Sequence, residues 1–134
     1  LVHRKGATRA FAAGMYDLPD DYKKAGQPVI IGGSMETGSY LLAGRPECAD
    51  AFFTTAHGSG RVMSRHEAKR RYNGRDLLHS MEQRGIYIRT ASFSGLAEEA
   101  GGAYKNIDEV IQATDKCGLS IPVAKLLPVG NIKG

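Results

Sequence analysis

The sequence predicts an α+β fold, in which mixed and antiparallel strands are combined with short helices and long glycine-rich loops. Segments typical of strands and helices do not alternate in a regular βαβ rhythm, which argues against a doubly wound sheet. Seventeen of the 134 residues are glycine, about twice the usual share. Loops of this length and composition usually line a site on a scaffold that is completed elsewhere. We therefore expect residues 1–134 to be an incomplete part of a larger single domain.

The composition is that of a soluble globular protein with a core of its own. Apolar residues make up 42% and charged residues 24% of the chain. The formal net charge of +4 fits an anionic partner such as a nucleotide or RNA, although many proteins without such a partner have the same balance. No apolar run approaches the roughly 20 residues that span a bilayer, and no signal-peptide pattern is present. We expect a cytoplasmic protein with no membrane partner.

Two further features concern the cysteines and the start of the chain. Cys48 and Cys117 lie far apart and form no CxxC pair, so we expect two reduced, partly buried thiols rather than a disulfide. The chain begins at Leu1, without methionine, on what the pattern predicts to be the end of a strand. We therefore expect a fragment of a longer protein.

Apolar runs and capping residues predict the individual elements. Strands are predicted over residues 28–31, 40–43 and 86–90, where β-branched or alternating apolar residues occur. Helices are predicted over residues 46–52, 64–72, 76–84 and 106–116, with one helical turn at 96–100. The loop from Gly32 to Ser39 is rich in small and hydroxyl residues. It could present backbone N–H groups to an anion, although most loops of this kind are only turns.

His57 lies in a run of small residues and is followed by Gly58, Ser59, Gly60 and Arg61. Neutral imidazole can act as a nucleophile or general base near pH 7, and glycines allow backbone to approach a ligand. A histidine in such a turn is nevertheless more often structural than catalytic, so the pattern by itself leaves both interpretations open.

The neighbouring cations favour an anionic ligand. Arg61 and Arg65 lie just before or within the first turn of the helix that Ser64 caps, where cations oppose the helix dipole. This placement makes sense if an anion binds between the arginines and the helix N-terminus. Together with the Gly32–Ser39 loop and the basic turn that contains Arg4 and Lys5, it predicts a site for a phosphate-rich ligand. At such a site His57 could be nucleotidylated, because a phosphoramidate passes the nucleotidyl group on readily.

Several other chemistries find no support in the sequence. The four histidines show no HxH or HExxH spacing and the cysteines no CxxC, so any metal would need ligands from outside this chain. There is no GxxxxGK[ST] phosphate loop and no GxSxG nucleophile elbow.

Five blocks of sequence closely resemble the carboxyl-terminal part of the RtcB-type tRNA-splicing RNA ligases. They occur in the family's order and with similar spacing, and the resemblance covers essentially the whole chain. The blocks are residues 3–11 (HRKGATRAF), 33–35 with 39–40 (GSM and SY), 57–65 (HGSGRVMSR), 95–100 (GLAEEA) and 132–134 (IKG).

The resemblance implies a GTP- and manganese-dependent ligase that joins RNA 2′,3′-cyclic phosphate or 3′-phosphate ends to 5′-hydroxyl ends, as in tRNA splicing and RNA repair. His57 matches the histidine that becomes guanylylated before the guanylyl group moves to the RNA 3′-phosphate. The implied partners are RNA (tRNA exon halves or broken RNA), GTP, the amino-terminal remainder of the catalytic domain, and an archease-type activator. Manganese would be held by ligands outside this chain. The implied nucleotide contacts are Ser34, Ser39, Gly58, Ser59, Gly60, Arg61, Tyr104 and Lys133, and the implied phosphate or RNA contacts are Arg4, Lys5 and Arg65.

Two departures and two alternatives accompany this interpretation. The family's metal ligands and its guanine-reading glutamate lie outside this chain, so we expect the chain alone to be inactive. Glu36 stands where the family usually has glycine, and a carboxylate beside a nucleotide is unfavourable unless it points to solvent. The chain could instead be a non-catalytic RNA- or nucleotide-binding module derived from the family. It could also be a structural subunit that completes a ligase assembled from two chains.

Overall fold

A computed structural model describes residues 1–133, in which three small sheets pack with four α-helices. The strands are β1 (Ala7–Arg9), β2 (Pro28–Gly32), β3 (Ser39–Gly44), β4 (Thr54–Ala56), β5 (Tyr87–Thr90), β6 (Ser120–Leu126) and β7 (Gly130–Lys133). The α-helices are α1 (Arg65–Arg71), α2 (Gly74–Gln83), α3 (Phe93–Glu98) and α4 (Ile107–Lys116). Short 3₁₀ helices cover Asp20–Tyr22, Pro46–Ala51 and Gly101–Ala103. The predicted α+β class is confirmed. The last residue of the IKG block, Gly134, lies outside the described residues.

The largest sheet is antiparallel, in the order β2-β3-β6. Val29 and Ile31 of β2 are buried while Ile30 between them is exposed, as the alternation of a half-buried strand requires. Helix α4 joins this sheet in one core, which consists of Ala10, Val29, Ile31, Leu42, Ile107 and Ile111.

A second core lies between α2, α3 and β5. Its buried members are Met35, Met81, Ile86, Ile88 and Leu96. Strand β5 pairs in parallel with β7, whereas β1 and β4 form a separate antiparallel ribbon. The parallel pair makes the strand arrangement mixed, as the sequence predicts.

Side-chain caps fix where the helices begin. The Ser64 Oγ accepts a hydrogen bond from the Glu67 N–H at 3.1 Å, which confirms the predicted capping box. Asn106 caps α4 in the predicted place. The prediction for α2 began too late, because Asn73 caps the helix and Gly74 is its first residue. The single turn predicted at 96–100 is also misplaced, since Ser92 caps a short helix that starts at Phe93.

The ends of the chain differ most from the expectations. Residues 1–6 are not part of a strand, so the predicted strand end at Leu1 is wrong, and the first strand begins at Ala7. Strands β6 and β7 lie near the other end of the chain, in a segment for which the sequence predicts no strand. Both cysteines are free, as predicted, but Cys117 is exposed rather than partly buried. Among the described residues, the helices are all too short or too polar to cross a membrane.

Candidate functional site

His57 directly follows β4, and its side chain is exposed beside the basic amino-terminal turn. The β1–β4 register pairs Ala7 with Ala56 and therefore brings Gly6 next to His57. A β-carbon added to Gly6 would lie 4.0 Å from the His57 Nε2 atom. The imidazole is thus accessible to a ligand and lies close to the turn that carries Arg4 and Lys5.

Backbone hydrogen bonds hold the His57–Arg61 loop on two sides. On one side, the Gly32 N–H donates to the His57 carbonyl at 3.3 Å, and the Ser59 N–H donates to the Gly32 carbonyl at 2.7 Å. On the other side, the Lys105 N–H donates to the Gly60 carbonyl at 2.9 Å. The structure therefore places this loop between the end of β2 and the segment that carries Tyr104.

The Gly32–Ser39 loop forms a tight turn that leads from β2 into β3. The Gly33 N–H donates to the Gly38 carbonyl at 2.9 Å, and the Ser34 and Thr37 hydroxyls are hydrogen-bonded at 3.0 Å. Gly38 has a φ of 86°, and a β-carbon there would overlap the Leu126 carbonyl oxygen, so the turn requires glycine. Ser34 and Ser39 both line a cleft of about 240 Å³.

A larger cleft of about 600 Å³ lies on the other side of this turn. It is lined by Glu36 and Thr37 of the turn, by the Gly101–Asp108 segment including Tyr104, and by Lys125. Leu127 lines both clefts. Three of the predicted nucleotide contacts therefore border two adjacent clefts rather than one, with Ser34 and Ser39 in the smaller and Tyr104 in the larger. The residues of the His57–Arg61 loop and Lys133 line neither cleft.

Arg61, Tyr104 and Lys133 converge on Glu99. Arg61 Nη1 donates to the Tyr104 hydroxyl at 2.9 Å and lies 3.6 Å from the Glu99 Oε1 atom. The Tyr104 hydroxyl donates to the Glu99 carboxylate, and the Lys133 Nζ atom lies 3.8 Å from it. Burial, followed by the hydrogen bond to Glu99, raises the pKa of Tyr104 above its ordinary value. Three predicted nucleotide contacts thus share one carboxylate.

Glu98 and Glu99 also explain why cations lie at the start of α1. Arg65 Nε lies 3.6 Å from a Glu98 oxygen and 3.7 Å from a Glu99 oxygen. Lys69 forms a salt bridge with Glu98, and this hydrogen bond lowers the Glu98 pKa. The sequence predicted an anion between Arg61 and Arg65. In the structure, the carboxylates of Glu98 and Glu99 supply that negative charge. Sequence reasoning missed their role, although both belong to the GLAEEA block.

The two cations of the amino-terminal turn differ in their surroundings. Arg4 folds back along β4, where Nε donates to the Thr54 hydroxyl and Nη2 to the Phe52 carbonyl, each at 2.8 Å. Lys5 is exposed. The phosphate roles predicted for Arg4, Lys5 and Arg65 stay predictions.

Glu36 does not simply point to solvent. Its Oε1 atom accepts a hydrogen bond from the Gly101 N–H at 2.7 Å, and its Oε2 atom lies 3.6 Å from Arg84 Nη1. Arg84 also donates to the Glu36 carbonyl at 2.7 Å. The carboxylate that departs from the family pattern is thus held by a peptide N–H and a cation, both from this chain.

The His57–Arg61 loop also contains a buried hydroxyl group whose hydrogen-bonding capacity is not used. Ser59 is 4% exposed, and its Oγ atom has no hydrogen-bond partner among the described residues. Buried hydroxyls normally have a partner, so an additional polar group at this position would satisfy it. No candidate metal site is found among residues 1–133, which contain no group of three His, Cys, Asp or Glu side chains placed to hold an ion.

Comparison with known proteins identifies the family. The family model described as tRNA-splicing ligase RtcB matches residues 1–134. The tRNA-splicing ligase RtcB of Thermococcus kodakarensis is 50% identical over 135 residues, and that of Archaeoglobus fulgidus is 49% identical over 134. The RNA-splicing ligase RtcB of Mycobacterium tuberculosis is 50% identical over 133 residues. These alignments cover 99–100% of this chain but only 28–31% of the relatives. The chain belongs to the RtcB family of tRNA-splicing ligases.

Proposed function

We infer that this chain is the nucleotide-binding and guanylylation portion of a GTP-dependent RNA ligase. The ligase would join RNA 2′,3′-cyclic phosphate or 3′-phosphate ends to 5′-hydroxyl ends, in tRNA splicing or RNA repair. One observation carries the proposal: an exposed His57 is presented by a loop whose backbone is hydrogen-bonded on one side to the Gly32–Ser39 loop and on the other to the Tyr104 segment. Membership of the family supports the same reaction.

In this proposal the neutral His57 imidazole attacks the α-phosphorus of GTP. A P–N bond forms, the bond from that phosphorus to the bridging oxygen breaks, and pyrophosphate leaves. Where the RNA ends in a 2′,3′-cyclic phosphate, water attacks that phosphorus and the P–O2′ bond breaks, which leaves a 2′-hydroxyl and a 3′-phosphate. An RNA 3′-phosphate oxygen then displaces the imidazole and receives the guanylyl group. Finally, the 5′-hydroxyl of the second RNA attacks that 3′-phosphate, and GMP leaves as the phosphodiester forms.

The residues of this chain position the nucleotide in that scheme. Ser34, Ser39, Tyr104 and Lys133 hold the guanine, and Glu99 orients the last two. Gly58 and Gly60 let the backbone approach the phosphates, while the Ser59 hydroxyl supplies a hydrogen bond. Manganese held by ligands outside this chain would neutralise phosphate charge when bound. RNA, GTP, the remainder of the ligase and an archease-type activator are the proposed partners.

Labelling with GTP radioactive at the α-phosphate tests the proposal. The chain is incubated with manganese, first alone and then with the separately expressed amino-terminal portion of the Thermococcus kodakarensis relative. We expect covalent label only when both parts are present. His57→Ala should abolish it, whereas His79→Ala, which removes another exposed histidine, should leave it unchanged. Absence of label in both mixtures would contradict the enzymatic role and leave a binding module or structural subunit. Label that survives His57→Ala would contradict the site.

A further inference from the structure

A groove of about 400 Å³ lies at the end of the β1–β4 ribbon that is distant from His57. We call it the arginine–aromatic groove and define it by six of its lining residues: Arg4, Arg9, Phe11, Tyr16, Phe52 and Phe53. Tyr16 is 87% and Phe52 is 68% exposed. The groove therefore presents aromatic rings to solvent beside two guanidinium groups.

The backbone that presents the Phe52 ring is strained. Phe52 and Phe53 have φ values of 53° and 50°, in the left-handed region that residues with a β-carbon rarely adopt. Two backbone hydrogen bonds hold the turn. The Phe53 N–H donates to the Cys48 carbonyl at 2.8 Å, and the Ala10 N–H donates to the Phe53 carbonyl at 2.8 Å. Phe53 packs edge-on against Phe11 at 5.9 Å, whereas Phe52 stays exposed, so packing does not explain the Phe52 ring.

Both arginines have neutral hydrogen-bond partners. The Arg9 guanidinium lies 4.4 Å from the centre of the Phe11 ring, and its Nε atom donates to the Gln27 side chain at 3.0 Å. Arg4 donates to the Thr54 hydroxyl and the Phe52 carbonyl. Within residues 1–133 neither arginine forms a salt bridge. Exposed Asp17 also lines the groove. The two positive charges are thus available to an anion.

We propose that the arginine–aromatic groove binds single-stranded RNA next to the end that reacts at His57. Exposed rings stack on unpaired bases, and arginines contact the backbone phosphates, which is how proteins hold single strands without reading their sequence. The ribbon connects the two places: Ala7 pairs with Ala56 at the His57 end, and Arg9 pairs with Thr54 at the groove end. These pairs are about 7 Å apart at the usual strand rise. A strand that ends at His57 can therefore continue into the groove. The proposal rests on the proposed function.

The variant Phe52→Gly separates RNA binding from folding. Glycine adopts positive φ readily, so this change relieves the strained backbone while it removes the ring. We expect the variant to be at least as stable as the parent chain in urea unfolding. Its Kd for a short single-stranded RNA with a 3′-phosphate, measured by fluorescence anisotropy without GTP, should rise roughly fivefold or more. Tyr87→Ala removes an equally exposed ring on β5 and should leave the Kd unchanged.

Salt dependence tests the arginines. Arg9→Gln should weaken binding to all single-stranded sequences and reduce the slope of log K against log salt concentration by about 1. Arg89→Gln, an exposed arginine on β5, serves as the matched control and should leave the slope unchanged.

Two outcomes would overturn the proposal. One is an unchanged Kd in a folded Phe52→Gly variant. The other concerns a graft of this chain in place of the matching segment of the Thermococcus kodakarensis relative. Protection of the groove from hydrogen exchange in that graft without RNA would show that the groove is an interface with the rest of the protein. Because RNA binding is measured without GTP, failed labelling of His57 would contradict the proposed function but not the binding of RNA in this groove.

Discussion

Arg61 shows how one residue joins the parts of the candidate site. Its Nε atom donates to the Met63 carbonyl at 3.1 Å, Nη2 donates to the Glu98 carbonyl at 2.6 Å, and Nη1 donates to Tyr104. The guanidinium carbon also lies 4.7 Å from the centre of the Tyr104 ring. These contacts connect the loop after His57 to the end of α3 and to Tyr104.

The Arg61→Lys variant should therefore be unstable. A single ammonium group cannot reach three acceptors in different directions, so we expect a loss of about 1–3 kcal/mol in the free energy of unfolding. Urea denaturation followed by circular dichroism measures it. Arg65→Lys is the control: its side chain is 67% exposed, and its loss should stay below about 0.5 kcal/mol. Equal losses in the two variants would contradict the structural role of Arg61.

The sequence indicates which residues are candidates for the site, but it does not show which groups they contact. The motif that begins at His57 can be recognised in the sequence because its residues are adjacent in the chain. The hydrogen-bond partners of Arg61 cannot be predicted in this way, since Glu98 lies 37 positions away and no local pattern identifies it as a partner. A charge near a helix start shows that a counterion is needed, but only tertiary structure decides between a ligand and a side chain.

At the level of elements, Glu36 holds the Gly32–Ser39 loop against two other segments. Its carboxylate accepts from Gly101, where a 3₁₀ helix begins, and lies beside Arg84 at the end of α2. A residue that looked unfavourable for nucleotide binding in the sequence thus has a positioning role in the fold.

Substitutions at Glu36 should change the Gly101 amide in a graded way. Glu36→Gln keeps an oxygen acceptor and should retain much of that amide's protection from hydrogen exchange, whereas Glu36→Ala should lose it. The lost hydrogen bond should lower the free energy of unfolding by about 0.5–1.5 kcal/mol. Exchange followed by NMR measures the protection. Full protection in Glu36→Ala would show that the carboxylate does not hold the loop.

The Asp108 carboxylate on α4 accepts hydrogen bonds from side chains of β3 and β6 and so links the three elements. It accepts from the Tyr40 hydroxyl at 2.6 Å and from the Lys125 Nζ atom at 2.8 and 3.1 Å. The hydrogen bond from Lys125, followed by that from Tyr40, lowers the pKa of Asp108 below its ordinary value of 3.8. Its contribution to stability is therefore present above pH 3.8 and is lost as the pH falls through the lower folded pKa.

Because the pKa of Asp108 is lowered in the folded chain, the difference in stability between the parent chain and Asp108→Asn should depend on pH. At pH 7 the parent should be modestly more stable, because Asp108 is ionised and its groups are partly exposed. Below the folded pKa the protonated carboxyl resembles the amide, and the two midpoints of urea denaturation should converge. A difference that stays constant from pH 7 to pH 2 would contradict the assignment.

Local capping residues correctly predicted the starts of α1 and α4, but the starts of α2 and α3 were misplaced although Asn73 and Ser92 also cap locally. Strands β6 and β7, which depend on distant partners, were not predicted. Ser64 with Glu67, and Asn106, mark the starts of α1 and α4 through contacts within four residues. All six residues of strand β6 after Ser120 are exposed, so the strand has no buried face that alternating apolar residues would mark in the sequence. Strand β7 exists because it pairs with β5 some 40 positions earlier, a choice that no local pattern encodes.

At the scale of the whole molecule, the candidate site lies where the two hydrophobic cores meet. The Gly32–Ser39 loop begins just after Ile31 of one core and contains Met35 of the other. The Tyr104 segment likewise connects Leu96 of the second core to Ile107 of the first. The His57 loop is hydrogen-bonded to both connections. The geometry around His57 therefore depends on both cores being folded.

The chain spans only 28–31% of the length of the relatives to which it is compared, so its sequence does not locate the ligands proposed to lie outside it. Its own residues present an exposed histidine and two adjacent clefts of about 240 and 600 Å³. Any manganese ligands outside the chain belong to segments whose position the described residues do not define.

We propose that His57 carries the guanylyl group, and the position of the covalent adduct on the chain is a direct test. This chain is grafted into the Thermococcus kodakarensis relative, incubated with GTP and manganese, digested at neutral pH and sequenced by mass spectrometry. We expect a GMP adduct on the peptide that contains His57, with the modified site at that residue and no adduct in the His57→Ala graft. An adduct on a lysine or on another histidine, or none in a graft that still ligates RNA, would contradict it.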